Sequence, residues 1–520
     1  MFAADGTWTN VAGGTWSTPT NWSGTVADGD DAVANFNTLD ITSDVTVTLD
    51  SPRTVGGLSF GDTTTTSAAG WTLSSSTLTL STTAGTPTIT VNALGSISGA
   101  PKTVVINSTL AGSQGLTKAG SGVLVLNANN TFTGTVNVNA GTLKLGNGSN
   151  AGTVSGDIAV ASGAILQFDR VVTGGYTVAN NISGAGSVTK SNGSGQLTLS
   201  GTNTYTGGTS ITSGALFVAG NNSLGSGTLT MSQATRFGSS DNTTRTIANL
   251  VNISAVGNGQ NVTFGAGSGA TSGLGDLVFT STGSSAAPSG SGTITIHNAT
   301  TVTFNQAFTG GGRINKLGTG VLVLAGTNTY SGGTTVSAGS LLVNGVLSGA
   351  GAITVNSAGT FGGSGTIASA STANAGSFLA AGAASGAAGI LTFSSTLDVS
   401  GLASGTGGLL FDLGAIGSSD KIVSGSLTIG TGVLDLNDFS FTTLSGFGAG
   451  TYTLLDATSV VGTLGSSLNG TIGGLDAVLS ISGNDLVLTV SAIPEPASFA
   501  MLTGGALLGL AVWRRRGIRR

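Results

Sequence analysis

The chain of 520 residues contains no cysteine and one histidine, His297. Disulfide frameworks, thiolate metal sites, cysteine nucleophiles and multi-histidine zinc centres are thereby excluded, and stability has to come from packing and hydrogen bonding. Charge is equally scarce: 7% of residues are Asp, Glu, Lys or Arg, and Glu495 is the only glutamate. Five of the 16 positive charges are Arg514, Arg515, Arg516, Arg519 and Arg520, so the chain up to Ile493 holds 11 basic and 20 acidic side chains, a charge of −9. A mildly acidic body without a basic patch is a poor partner for nucleic acid. Proline is rare, at 7, and even with 89 glycines the two together fall short of the share that marks a low-complexity disordered chain.

Between the glycines stand mostly Thr, Ser, Val, Leu, Ile and Asn. The β-branched residues suit pleated strands, and Asn and Gly suit tight corners, so the composition points to an all-β chain of many short strands. Three segments repeat: LTKAGSGVLVLNANNTFTGTVNVNAGTLKL (116–145), VTKSNGSGQLTLSGTNTYTGGTSITSGALFV (188–218) and INKLGTGVLVLAGTNTYSGGTTVSAGSLLV (314–343). They share Lys118, Lys190 and Lys316; Asn130, Asn203 and Asn328; an aromatic at Phe132, Tyr205 and Tyr330; and, nine residues after it, Gly141, Gly214 and Gly339.

Comparing the copies separates the two faces of a strand. The first and third read Val-Leu-Val-Leu at 123–126 and 321–324, whereas the second reads Gln196-Leu197-Thr198-Leu199, so the variable positions face solvent and the leucines face the core. Val138, Ile211 and Val336, and Leu143, Leu216 and Leu341, point inward by the same logic. Each copy is two or three strands that cannot bury an apolar face alone, so neighbouring copies must stack. Coils of twenty-odd residues with Gly and Asn corners describe an all-β, right-handed parallel β-helix, with a β-sandwich array as the runner-up.

The pattern divides the chain into an N-terminal β-rich cap and solenoid start (1–110), a repeat solenoid (111–394), a C-terminal solenoid segment (395–491) and a distinct tail (492–520). Four of the five tryptophans, Trp8, Trp16, Trp22 and Trp71, lie in the first part. They are expected to cap and fill the open end of the solenoid, with a Trp-lined sugar platform as the sharper reading.

The tail reads IPEPASFAMLTGGALLGLAVWRRRGIRR. Ala497 to Trp513 carry no charge and as a helix would span about 25 Å at ~1.5 Å per residue. Snorkelling arginines bring that within reach of a bilayer core, and Arg514, Arg515 and Arg516 predict a cytoplasmic C-terminus with the body outside the inner membrane. No complete signal peptide is visible in MFAADGTW, and Phe2-Ala3-Ala4 fits the remains of a cleavage site.

Two resemblances follow from these residues. Pro494-Glu495-Pro496, a hydrophobic helix and an arginine cluster, adjacent and in that order over about 28 residues, resemble the PEP-CTERM sorting signal of bacterial exported proteins. The resemblance implies recognition by an exosortase-type sorting protease, a tether to the inner membrane before processing, and then a cell-surface or extracellular location. The three repeats resemble the autotransporter-associated β-strand repeat. The third copy fits best, through Lys316, Gly318, Gly320, Leu322, Leu324, Asn328, Thr329, Tyr330, Gly332, Gly333, Ala338, Gly339 and Leu341. The first departs at Asn129 and Thr135, and the second has an extra residue after Lys190.

Candidate chemistry is thin. Asp412, Asp435, Asp456 and Asp476 recur at 23, 21 and 20 residues and could stack as an acidic ladder of a glycan-cleaving β-helix, although solvated outward positions are the simpler reading. Asp28, Asp30 and Asp31 lack the spacing of a calcium loop and read as a surface turn, as does Asp420-Lys421. His297 has no second ligand, and the glycines at Gly311-Gly312 and Gly318 to Gly320 lack the helix and lysine context of a phosphate cradle. The sequence therefore predicts a non-enzymatic structural or adhesive protein without metal or cofactor. Its Ser, Thr and Asn face suits exopolysaccharide or other glycans, and a secreted polysaccharide lyase or hydrolase is the alternative.

Overall fold

The computed structural model describes residues 3–192, 195–266, 273–297, 299–382, 386–402 and 408–493. They fall into two compact units, Met1–Thr354 and Val355–Arg520.

The first unit is built of parallel coils. One sheet runs from Val33–Phe36 through Gly57–Phe60, Thr88–Val91, Leu116–Ala119, Val136–Val138 and Ile158–Val160 to Ile182–Ser183. A second contains Val123–Leu126, Thr142–Ser149, Ile165–Arg170, Ser187–Lys190 and Thr209–Ile211, and a third takes up Tyr176–Val178, Gln196–Leu199, Ala215–Val218 and later Ile314–Leu317. Parallel registry of this kind excludes the sandwich alternative, whose sheets are antiparallel. Register is kept residue for residue, so inward side chains form columns: Leu124, Leu143, Leu166 and Val188 follow one another across four strands, and all are buried. The strands alternate inward aliphatic and outward polar positions, which is why a polar, Thr-rich chain can still assemble a dry interior. Val125 and Val323, on the outward face, are nevertheless buried. Lys144 sits beside Val125 in register, and Leu342 beside Val323.

At the N-terminal end Ala4–Trp8 pairs parallel with Val33–Phe36 on one side and antiparallel with Trp22–Asp28 on the other. Trp8, Trp16, Trp22, Phe36, Phe60 and Trp71 pack as one aromatic cluster, with Trp8 and Trp22 edge to face at 5.1 Å and Phe36 stacked on Phe60 at 4.8 Å. All four indole N–H groups donate to backbone carbonyls, of Asn10, Ala27, Trp16 and Gly61. The tryptophans are core, and none offers an open face to a sugar.

In the second unit, parallel pairing links Gly359–Gly363, Phe378–Ala381, Leu409–Leu413 and Phe439–Thr443 in one sheet, and Ile390–Asp398, Lys421–Leu434 and Gly450–Leu464 in another. Direction then reverses. Asn469–Ile472, Leu475–Ser482 and Asp485–Ser491 form an antiparallel meander that closes back on Gly450–Leu464.

The expected single C-terminal hydrophobic helix is corrected. The described residues are all-β, with no α-helix and only three 3-10 turns, Pro19–Asn21, Ser400–Leu402 and Leu436–Asp438. Gly, Thr, Ser and Val all disfavour helix relative to strand and turn, which accounts for this uniformity. Among the described residues no helix is long and apolar enough to cross a membrane. Residues 494–520, which include Pro494, Glu495, Pro496, Ala497, Trp513, Arg514, Arg515 and Arg516, lie outside the described residues.

Candidate functional site

In each repeat the lysine closes a coil corner. Lys118 occupies the inward column Leu58, Ile89, Lys118, Val138, Val160, where every other member is aliphatic. It is fully buried, as are Lys190 and Lys316. Its ammonium donates to the carbonyls of Ala119 at 2.9 Å and Gly120 at 2.7 Å in its own coil, and of Ala140 at 3.0 Å in the next. Lys316 repeats this with Leu317 at 3.0 Å, Gly318 at 2.7 Å and Ala338 at 3.0 Å, and Lys190 reaches Ser191 and Asn192 at 2.7 Å each. Burial pushes all three lysines down to about 8. Each ammonium thus clips a turn to its own strand, and in the first and third copies to the coil that follows.

Beyond the turn, Asn130 spans three coils. Its Oδ1 accepts from Leu110 N at 3.0 Å, while its Nδ2 donates to Ala128 O and Thr153 O. Asn203 and Asn328 do the same for Ile182 N and Phe308 N. Phe132, Tyr205 and Tyr330 fill the interior beside them, and burial raises both tyrosine hydroxyls. Gly141, Gly214 and Gly339 have φ of 65°, 77° and 62°, in the left-handed region. A Cβ on Gly141 would also lie 2.4 Å from Gly122 O. At Gly318 the backbone presents a carbonyl to the Lys316 ammonium, which is the opposite polarity to a phosphate cradle.

The four aspartates of the supposed ladder do not stack on one another. Asp412 lies opposite Thr442, Asp456 opposite Val423, and Asp476 opposite Thr471 and Ser491. Asp435 accepts from Ser467 N at 2.7 Å at the entrance to a 3-10 turn, and Asp456 is paired with Lys421 at 3.0 Å. Asp412 and Asp420 depart from the exposed positions expected of them, since both are buried. Asp420 accepts from Gly389 N at 2.7 Å and Asp412 N at 2.8 Å, and Asp412 in turn accepts from Gly386 N, so the two carboxylates pin residues 386–389. Burial pushes Asp420 up to about 6, with the Asp412 charge adding to it against two backbone hydrogen bonds.

Near the N-terminus, Asp31 binds Thr83 through its backbone N–H and its hydroxyl, and Asp28 pairs with Arg53, so these acids tie coils together. His297 is half-buried, and burial followed by the nearby Arg236 lowers it. Among the described residues no group of three or more His, Cys, Asp or Glu could hold a metal ion.

One feature carries no signal in the repeat pattern. Arg170 stacks its guanidinium 4.5 Å over the ring of Tyr176 and donates from Nε to Ala151 O at 3.0 Å and from Nη2 to Asn150 O at 2.7 Å. It lies at the rim of a small cleft with Leu145, Phe168, Val154 and Val178 as its apolar lining and Thr177 and Asn180 at the rim. Burial pushes the Tyr176 hydroxyl up to about 12, so the ring under the cation stays neutral. Only the contact between coils brings these residues together, and no local motif announces it.

Residues 116–145, 192–217 and 314–343 match the family described as Passenger-associated-transport-repeat. Lys118 and Lys316 fall inside these matches, and Lys190 lies two residues before the second. Over 196 residues the chain is 40% identical to the adhesin BmaC autotransporter of Brucella suis biovar 1 (strain 1330), a stretch covering 35% of this chain and 5% of that protein. Among solved structures, the Haemophilus influenzae Hap adhesin aligns with 90% of this chain and 65% of its own at 12% identity, with a TM-score of 0.20, too loose a superposition to carry an argument.

Proposed function

We propose that the protein works outside the cell or at its surface as a non-enzymatic, structural and adhesive β-solenoid. Three passenger-associated-transport repeats and a 196-residue stretch 40% identical to an autotransporter adhesin support this reading. The observation that carries it is the division of labour within each copy. Every shared residue with chemical character, Lys118, Asn130 and Phe132 and their counterparts, is committed to holding coils together. The outward positions, such as Thr117 and Thr189 on the lysine strands, are left to meet a partner. A polar surface of short side chains offers many weak hydrogen bonds, which suits extended glycans or an extracellular matrix. The acidic groups that a polysaccharide-cleaving site requires are dispersed or bound up in loop anchoring, so the enzymatic alternative finds no support.

The reading includes sorting through the C-terminal segment, with Pro494-Glu495-Pro496 as the recognition element for an exosortase-type protease. Its support is the order of motif, apolar run and arginine cluster in the sequence. Two measurements on the native host test the proposal. A deletion strain should lose surface attachment or matrix cohesion, and the protein recovered from the surface should end near Pro494 to Pro496. Unchanged attachment would remove the adhesive reading, and an intact Arg520 would remove the processing step.

A further inference from the structure

We propose that the cleft formed by residues 145–154 and 168–180 is a recognition subsite for a carboxylate carried on a saccharide, with Arg170 receiving the carboxylate. The inference rests on the adhesive reading above and gives it a ligand class.

The cation is preorganised. Its Nε and Nη2 are fixed by the Ala151 and Asn150 carbonyls, and the Tyr176 ring supports its face. Gly146, at φ 86°, leaves room for the arginine stem, because a Cβ there would lie 2.6 Å from Arg170 Cγ. What remains free is the fork of Nη1 and the second N–H of Nη2, the donor pair that matches two carboxylate oxygens. Among the described residues Arg170 forms no ion pair, although 20 acidic residues precede Glu495. The adjacent acid, Asp169, is neutralised by Lys144. A guanidinium held rigid, half-buried and without a counter-ion, in a chain that is acidic elsewhere, is arranged for an anion from outside.

The surroundings narrow the anion. The cleft holds about 60 Å³, enough for a carboxylate and a few further atoms but not for a whole sugar ring. The bulk of a ligand must therefore lie across the mouth. There the exposed Thr177 hydroxyl and the Asn180 amide oxygen can pair with hydroxyls, since the Asn180 Nδ2 is already committed to Val154 O and Gly156 O. The buried Leu145, Phe168, Val154 and Val178 supply an apolar lining for C–H groups. A uronic acid residue, with one carboxylate beside several hydroxyls on an apolar ring face, satisfies all three features.

The test is calorimetric titration of the full chain with an oligomer of glucuronic acid and with its carboxyl-reduced counterpart. The acidic oligomer should bind, and the reduced form should bind at least tenfold more weakly. Arg170→Gln should lose at least tenfold. Because Arg170 also holds two carbonyls, Thr177→Tyr serves as the second variant: it obstructs the mouth while leaving every Arg170 hydrogen bond in place, and it should weaken binding as much. Equal binding of the two oligomers, wild-type affinity in either variant, or no binding of the acidic oligomer would overturn the inference. Attachment lost in the deletion strain alongside any of these results would leave the adhesive reading standing without this subsite.

Discussion

The hydroxyl of Tyr330 lies 2.6 Å from that of Thr334, and Tyr205 and Thr209 stand in the same relation. In the first copy Phe132 and Val136 take the two places, so both hydroxyls are missing together. A buried hydroxyl without a partner is costly, whereas losing both is nearly neutral. Tyr330→Phe and Thr334→Val should each destabilise the first unit by about 1–2 kcal/mol, and the double variant by clearly less than their sum. Chemical denaturation of the four proteins closes this cycle, and strict additivity would show that the pair is not coupled.

Lys316 offers a harsher test. Replacing it with Met keeps the aliphatic column but strands the carbonyls of Leu317, Gly318 and Ala338. The expected loss is about 1–3 kcal/mol, the cost of buried acceptors left without a donor once the desolvation of the ammonium is relieved. An unchanged unfolding midpoint would mean that water replaces the ammonium.

Gly339 combines φ of 62° with a Cβ position 2.5 Å from both Gly318 O and Gly320 O. Gly339→Ala should therefore cost about 2–4 kcal/mol, more than the backbone penalty of about 1 kcal/mol alone. Gly483, at φ 65° with open space around it, is the internal comparison, and Gly483→Ala should show only that smaller penalty.

Asp420 gives the second unit an unusual acid response. Its carboxyl titrates near 6 in the fold, above its value near 4 in an unfolded chain, so the folded state holds the proton more tightly. The stabilisation is complete below about 4 and disappears as pH rises through 6. The thermal midpoint of this unit should rise on going from pH 7 to pH 5, and Asp420→Asn should flatten the rise while lowering stability, because an amide cannot accept from both Gly389 and Asp412. A midpoint that falls steadily over that interval would contradict this assignment. Asp31, Asp50, Asp157 and Asp241 of the first unit are shifted down by side-chain and backbone hydrogen bonds and act in the opposite sense, below pH 4.

The all-β class, the inward leucines and the glycine corners were legible because each rests on a local period: alternation along a strand, or a nine-residue step from aromatic to glycine. The buried lysines were not. Nothing local marks Lys118 as buried, and its burial becomes favourable only when a carbonyl 22 residues away, on Ala140, closes the cage. Asp420 was hidden for the same reason, since one of its partners is the N–H of Gly389, 31 residues earlier. The spacing of Asp412, Asp435, Asp456 and Asp476 allowed a ladder only as the less simple reading, and they do not stack. Steps of 20 to 23 residues match one coil only while coil length stays constant, and the strands that carry Asp412, Asp456 and Asp476 differ in length from 5 to 15 residues, while Asp435 sits at a 3-10 turn.

The strand carrying Lys118 belongs to the first sheet, that of Lys190 to the second and that of Lys316 to the third. The leucine strand of each earlier copy, Val123–Leu126 and then Gln196–Leu199, already lies in the sheet that the next lysine strand will join. The same thirty-residue motif is therefore stable whichever wall it helps to build. For a gene assembled by duplication this relaxes the usual requirement of phase: a copy need not land a whole number of turns from its parent, because the clip of ammonium and carbonyls travels with it. Chains of this kind can lengthen by unequal recombination without first solving a registration problem, which fits recognisable motifs whose lysines stand 72 and 126 residues apart with more divergent coil between the copies.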